Sequence, residues 1–162
     1  MNKIKRVLFV CLGNTARSPA AEYLARYYAN KNNNDLIFAS AGFINAFSYI
    51  QRESQEYLNL KRINHSDFIP QLINRELLEI QDLILTMERS HSEDIINDYR
   101  NIEDIDKKTF TLKEFNEESE DIDIIDPYYA SNEKYKQVLK IIDQNVEKAI
   151  KKIDSINSSL CV

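Results

Sequence analysis

Short, unbroken apolar runs alternate along this chain with longer stretches in which apolar residues recur every three or four positions. Val7-Leu8-Phe9-Val10, Leu36-Ile37-Phe38-Ala39-Ser40 and Asp82-Leu83-Ile84-Leu85-Thr86-Met87 read as strands buried on both faces, and Thr109-Phe110-Thr111-Leu112 is a fourth candidate. Between them, Ala21, Leu24, Ala25 and Tyr28 fall on one face of a helix running on from Pro19. Arg52 to Leu60 reads as a second helix with Tyr57 and Leu58 partly inward, and Asn74 to Leu78 as a short one after the break at Ile69-Pro70-Gln71-Leu72. A further helix from about Ser90 to Tyr99 has Ser90 or Ser92 as its cap. The last helix carries the clearest stripe: Tyr135, Val138, Leu139, Ile142, Val146, Ala149, Ile150 and Ile153. Asn30 to Asp35 is a polar loop, and Glu114 to Asp123 reads as an acidic, solvated one. Strands alternating with amphipathic helices predict an α/β fold in three layers, a parallel sheet flanked by helices on both faces. With no internal repeat and no linker, residues 1–162 read as a single domain.

Composition narrows the function. A net charge of −5 argues against a nucleic-acid partner. No apolar run approaches the ~20 residues that cross a bilayer, so a membrane is not expected as a partner either. The basic start Met1 to Arg6 faintly resembles a signal peptide, but the apolar run after it meets Asn14 and Arg17 at once, which suits a core strand better. The two cysteines, Cys11 and Cys161, make no disulfide framework, so a reducing, cytoplasmic setting is expected.

The chemistry concentrates after the first strand, in Cys11-Leu12-Gly13-Asn14-Thr15-Ala16-Arg17-Ser18-Pro19. Cys11 and Arg17 bracket a five-residue loop that runs straight into a helix. Such a loop can turn its backbone N–H groups inward as a nest for an anion, and the helix adds its positive N-terminal end. Arg17 offers a planar fork for two phosphate oxygens. Cys11 sits beneath, where the same dipoles favour a thiolate nucleophile. An average chain of this length would hold roughly 11 glycines; this one has two, Gly13 and Gly42, and Gly13 lies inside the loop. Ser18 is expected as N-cap and Pro19 as first helical residue. In a parallel sheet ligands bind beyond the carboxyl ends of the strands, which gathers Cys11, Ser40 to Gly42 and Glu88 along one edge. Asp126-Pro127-Tyr128-Tyr129 adds a carboxyl group on a stiffened loop beside two aromatics, placed to deliver a proton to a leaving oxygen. Asp121 and Asp123 are nearby competitors read as solvated.

These segments, with Ser40-Ala41-Gly42 and Leu85-Thr86-Met87, resemble the low-molecular-weight protein tyrosine phosphatase family over nearly the whole chain. The resemblance implies a four-stranded parallel sheet with a phosphate-binding loop after the first strand, and a two-step hydrolysis that uses no cofactor and no metal. It implies Cys11 as nucleophile, Arg17 as phosphate binder and transition-state stabiliser, and Asp126 as general acid, then base. Leu12, Gly13, Asn14, Thr15, Ala16 and Ser18 would form the substrate-binding loop, Asn14 and Ser18 holding its shape with the Ser18 hydroxyl aimed at the Cys11 sulfur. Tyr128 and Tyr129 would wall the cleft. The implied partners are a phosphorylated protein or peptide as substrate, with phosphate and other oxyanions as inhibitors.

The chain departs from the family pattern in three places. Ala16 stands where many members carry a second cysteine, so a protective disulfide in the loop is not expected. The His-Arg pair that often follows the second helix has no match in Asn64-His65-Ser66-Asp67-Phe68, and His65 reads as an exposed loop residue. Thr15 replaces the isoleucine of many tyrosine-specific members and resembles the protein arginine phosphatase branch, as do Ser90-His91 and Phe110-Thr111-Leu112-Lys113-Glu114-Phe115. Tyr128-Tyr129-Ala130 resembles the tyrosine branch instead, and paired tyrosines suit an aromatic substrate by stacking. A thioredoxin-coupled arsenate reductase would need relay cysteines, and there are none between Cys11 and Cys161; Cys161 reads as a thiol in a frayed tail. A non-catalytic phospho-residue binding module would lack the nucleophile or the acid, and both are present.

Overall fold

The computed structural model describes residues 2–161. Four strands, β1 (Arg6–Cys11), β2 (Ile37–Gly42), β3 (Leu83–Thr86) and β4 (Thr109–Thr111), form one sheet in the order β2-β1-β3-β4. Every neighbouring pair is parallel, with Cys11 level with Gly42 and Val10 level with Thr86. The run after the basic start is therefore the central strand; Met1 lies outside the described residues.

Among the described residues, seven helices surround the sheet: α1 (Arg17–Lys31), α2 (Arg52–Leu60), α3 (Arg75–Glu79), α4 (Arg89–Asp98), α5 (Ile105–Lys108), α6 (Leu112–Phe115) and α7 (Asn132–Ser159). Side chains of a strand alternate between faces, and β1 shows what this does to the core. Val7, Phe9 and Cys11 pack with Leu24 of α1 and Val138, Ile142 and Ile150 of α7. Leu8 and Val10 pack on the other face with Leu78 of α3 and Ile95 of α4. Burying both faces explains the unbroken apolar runs. The stripe on the 28-residue α7 is buried from Tyr135 to Ile153, and Ser131 caps the helix by accepting from the Lys134 amide at 3.2 Å.

The differences from the sequence reading lie at helix ends and in short helices. α4 starts after Glu88, so Ser90 and Ser92 are inside its first turn rather than capping it. The cap comes from 34 residues further along the chain: Asp123 Oδ1 accepts from the Arg89 amide at 2.7 Å. Asp123 is exposed, yet it is committed to that helix. The segment Glu114 to Asp123, read as an acidic, solvated loop, begins inside α6, where Thr111 and Glu114 form a reciprocal capping box, and its Phe115 and Asn116 are buried. Four-residue helices such as α5 and α6 show barely one helical period, too little for a pattern to reveal.

Candidate active site

Cys11 is the last residue of β1, 2% exposed, at the carboxyl edge of the sheet, where the chain leaves β1 toward β2 on one side and β3 on the other. Such a switch point opens a crevice in a parallel sheet. The loop 12–16 rises from Cys11 and enters α1 at Arg17, two residues earlier than the serine signal suggested. Ala16 is the N-cap, and no side chain bonds the first-turn amides. Those amides have no intrahelical partner, so they and the helix dipole are available to an anion. The displaced Ser18 hydroxyl lies 3.0 Å from Cys11 Sγ instead.

The loop is held from behind by a directional chain of hydrogen bonds. Asn14, at φ 52, supplies the left-handed turn. Its Nδ2 donates to Ser18 Oγ and to Ser40 Oγ, each at 2.9 Å. Ser18 Oγ accepts there, which leaves its own proton for the Cys11 sulfur at 3.0 Å or the Ala41 carbonyl at 3.5 Å. Ser40 Oγ in turn donates to Glu22 Oε1 at 2.7 Å. Asn14 Oδ1 accepts from the Gln71 amide at 3.0 Å, so a backbone group of Gln71 serves this side of the loop. His65 stays out of the site, half-buried, with Nε2 2.8 Å from Asn59 Oδ1 and its ring edge-on to Tyr23. Both glycines are required by space rather than by φ. A Cβ on Gly42 would lie 2.8 Å from the Asn14 nitrogen, and one on Gly13 would lie 2.7 Å from Ala46 Cβ.

Burial pushes the Glu22 carboxyl above the ordinary 4.5, with the Ser40 and Arg26 contacts opposing it. A raised folded-state value means the folded protein holds this proton more tightly than the unfolded chain. The stabilisation is then full below 4.5 and is lost as pH rises through the folded value. Glu22→Gln keeps an acceptor for Ser40 and is expected to flatten that part of the curve of melting temperature against pH. Parallel curves for the two proteins would contradict the assignment.

Arg17 is 1% exposed and spans the base of the cleft. Its NH1 donates to Glu88 Oε1 at 2.5 Å and to the Ile124 carbonyl at 2.7 Å, and its NH2 lies 3.7 Å from Asp126 Oδ2. Glu88, just after β3, thus clamps one side of the guanidinium, a role that its sequence position alone did not reveal. Asp126 is exposed, its loop set by the Tyr128 amide donating to Asp126 Oδ1 at 3.1 Å. Thr15 faces Gln51, whose amide Nε2 donates to Thr15 Oγ1 at 3.2 Å while its Oε1 accepts from the buried Tyr135 hydroxyl at 2.9 Å.

Cys11, Leu12, Gly13, Thr15, Ala16, Arg17, Asp126, Tyr128 and Tyr129 line one cleft of about 340 Å³. Asn14 and Ser18 lie behind it, at 1% and 0% exposure, as struts rather than walls. The other wall was not read from the sequence: Ile44, Ala46 and Phe47, on the loop after β2, close the cleft with Gln51. Phe47 packs against Tyr128 at 5.6 Å between ring centroids, and Tyr128 against Tyr129 at 4.5 Å. A cluster of apolar and aromatic residues in a loop, Phe43-Ile44-Asn45-Ala46-Phe47-Ser48-Tyr49, was the available signal.

A thiol over a loop of free amides, a clamped guanidinium and a carboxyl group at the mouth form a site for a phosphate ester. The family model for low molecular weight phosphotyrosine protein phosphatase matches residues 6–158, and the chain belongs to that family of phosphatases. Its relatives divide by substrate. A protein-arginine-phosphatase of Bacillus subtilis is 32% identical over 150 residues, covering 91% of this chain and 95% of its own. A low molecular weight protein tyrosine phosphatase from T. tengcongensis has a solved structure that superposes with a TM-score of 0.82 at 34% identity, covering 91% of this chain and 99% of its own. A mutant of the YwlE arginine phosphatase, described with a phosphorylated active-site serine, superposes with a TM-score of 0.82 at 30% identity over 92% of this chain and 95% of its own. No helix among the described residues is long and apolar enough to cross a membrane.

Proposed function

We propose that residues 1–162 form a single phosphatase domain that hydrolyses phosphotyrosine in proteins or peptides, by a metal-independent route through a phosphate ester on Cys11. In the first step the Cys11 thiolate attacks phosphorus, the P–O bond to the tyrosine breaks, and Asp126 gives its proton to the departing phenolate oxygen. In the second, the Asp126 carboxylate takes a proton from a water that attacks phosphorus. The S–P bond then breaks and inorganic phosphate leaves. The loop amides and Arg17 carry the charge on the phosphoryl oxygens in both transition states. Ser18 stabilises the sulfur as thiolate before the first step and as leaving group in the second. The phosphorylated serine of the YwlE mutant supports a covalent route for this chain. Phosphate and related oxyanions should compete for the cradle, and a reducing cytoplasm would keep the thiol free.

The observation that carries the substrate reading is the aromatic pair across the cleft mouth, Phe47 and Tyr128, with Tyr129 beside them. A tyrosine ring entering the cleft toward Cys11 would be held by stacking against this cluster. Thr15 and the Bacillus subtilis relative favour a second reading, phosphoarginine, whose guanidinium would bring N–H donors to the Thr15 hydroxyl. Parallel turnover of one peptide carrying phosphotyrosine or phosphoarginine decides between them. The larger kcat/KM is expected for phosphotyrosine, and a larger value for phosphoarginine would overturn that preference.

A thiolate nucleophile is also open to oxidation. Ala16 cannot trap a Cys11 sulfenic acid as a disulfide. Cys161 lies past the far end of α7, about 36 Å of helix separating Tyr135 at the cleft side from Ser159. Peroxide is therefore expected to drive Cys11 to sulfinic and sulfonic acids, with poor recovery in dithiothreitol and better recovery in Ala16→Cys. A Cys11–Cys161 disulfide in peptide mass spectra would contradict this.

A further inference from the structure

The mechanism leaves a buried imidazole beside the site unused. His91, in the first turn of α4, is 7% exposed and packs its ring against Phe43 at 5.2 Å between centroids. Its Nε2 lies 4.0 Å from Glu88 Oε2, and its Nδ1 has no hydrogen-bond partner. The other oxygen of the same carboxylate, Glu88 Oε1, holds Arg17 NH1 at 2.5 Å. One carboxylate is thus shared between the phosphate-binding guanidinium and a buried imidazole.

The groups facing His91 oppose one another. Burial is the largest influence and lowers its pKa from 6.5; Arg17 adds to that, while Glu88, Asp94 and Asp123 favour the charged ring. The positive end of α4 also disfavours charge. Near neutral pH the imidazole is therefore uncharged, with one N–H. Placing that proton on Nε2 faces it toward Glu88 and leaves Nδ1 as a buried acceptor rather than a buried orphan donor.

We propose that His91 is a positioning residue for Arg17, acting through Glu88, so that an oxyanion entering the cradle is accompanied by protonation of His91. In the empty site Glu88 is the counter-charge of Arg17 and competes with the anion for it. When the anion takes over that part, the Glu88 charge is released to the imidazole, which gains a proton from solvent on Nδ1; that N–H is buried without a partner, and the freed Glu88 charge facing Nε2–H has to offset its cost. Linkage is reciprocal: a protonated His91 occupies Glu88 and frees the charge of Arg17, so the oxyanion binds more tightly. This rests on the phosphatase reading only for Arg17 as the group that holds the phosphoryl oxygens.

The probe is sulfate, a dianion throughout the range, and the readout is the ring resonances of the two histidines by NMR; His65, outside the site, is the internal reference. Sulfate is expected to raise the His91 midpoint by about 0.7 unit or more and to leave His65 unmoved. By linkage this is a ~5-fold tightening of sulfate binding as pH falls through the midpoint. Glu88→Gln should lower the His91 midpoint and remove most of the sulfate-induced rise. His91→Gln should bind sulfate as the wild type does above pH 7 and lose the tightening in acid. An unmoved His91 midpoint in the wild type, an undiminished rise in Glu88→Gln, or persistent tightening in His91→Gln would each overturn the coupling. Failure of the folded wild type to bind sulfate or phosphate at all would instead count against the phosphatase reading.

Discussion

Cys11→Ser is expected to reduce turnover of every phosphate ester to background while leaving oxyanion binding close to that of the wild type. The two outcomes separate because different groups carry them. Attack on phosphorus needs an anion at the end of β1, and a serine hydroxyl beside Ser18 is not ionised near neutral pH. The cradle is made of backbone amides, the α1 N-terminus and Arg17, none of which changes. A serine that does become phosphorylated is a dead end, since an alkoxide leaves far less readily than a thiolate. Steady-state assays with an aryl phosphate, paired with calorimetric titration of sulfate, which forms no bond to the sulfur, measure both. Substantial turnover in the variant would refute nucleophilic catalysis by Cys11, and loss of binding with the fold intact would show that the sulfur is part of the cradle.

Asp126→Asn should separate substrates by their leaving groups. An alkyl or unactivated phenyl phosphate leaves as a basic oxygen that needs a proton, and removing the general acid is expected to cost ~10²–10⁴-fold in kcat/KM. A nitrophenyl ester leaves as a stable anion and should lose far less at that step. The position of Asp126 supports this, since its Oδ2 lies 3.7 Å from Arg17 NH2 across the cleft from Cys11. An equal loss on both substrates would contradict the role. The neighbouring Asp123 is a poor replacement, being bonded to the Arg89 amide at the start of α4.

The parts of this molecule written locally in the chain were legible before any coordinates. The apolar run of β1, the stripe of α7 and the spacing of Cys11 and Arg17 are each written within a short stretch or a single period, and they led to the sheet and to the loop after β1. What could not be read is what arrives from a distance. Glu88 lies 71 residues from the Arg17 it clamps, and nothing in Met87-Glu88-Arg89 marks that partnership. Asp123 caps α4 from 34 residues away, which made Ser90 and Ser92 the more plausible caps in the sequence. Ser18 had the composition of a cap and the local position for one, but the competing demand of the Cys11 sulfur won. That exception is instructive, because a first turn left uncapped is what an anion site requires. Phe47 was passed over for a different reason: an apolar residue in a loop reads as noise until Tyr128, 81 positions later, is placed against it.

The central claim is that phosphorus is transiently bonded to Cys11, and trapping that intermediate tests it most directly. The wild type and Asp126→Ala, the latter slowed in the second step, would be mixed with an aryl phosphate, denatured within milliseconds under alkaline conditions, and mapped by peptide mass spectrometry. The account predicts one phosphoryl group on the peptide bearing Cys11, more abundant in Asp126→Ala and absent from Cys11→Ser quenched on the same timescale. A burst of product with no covalent phosphoryl group, or a phosphoryl group on any other residue, would contradict it.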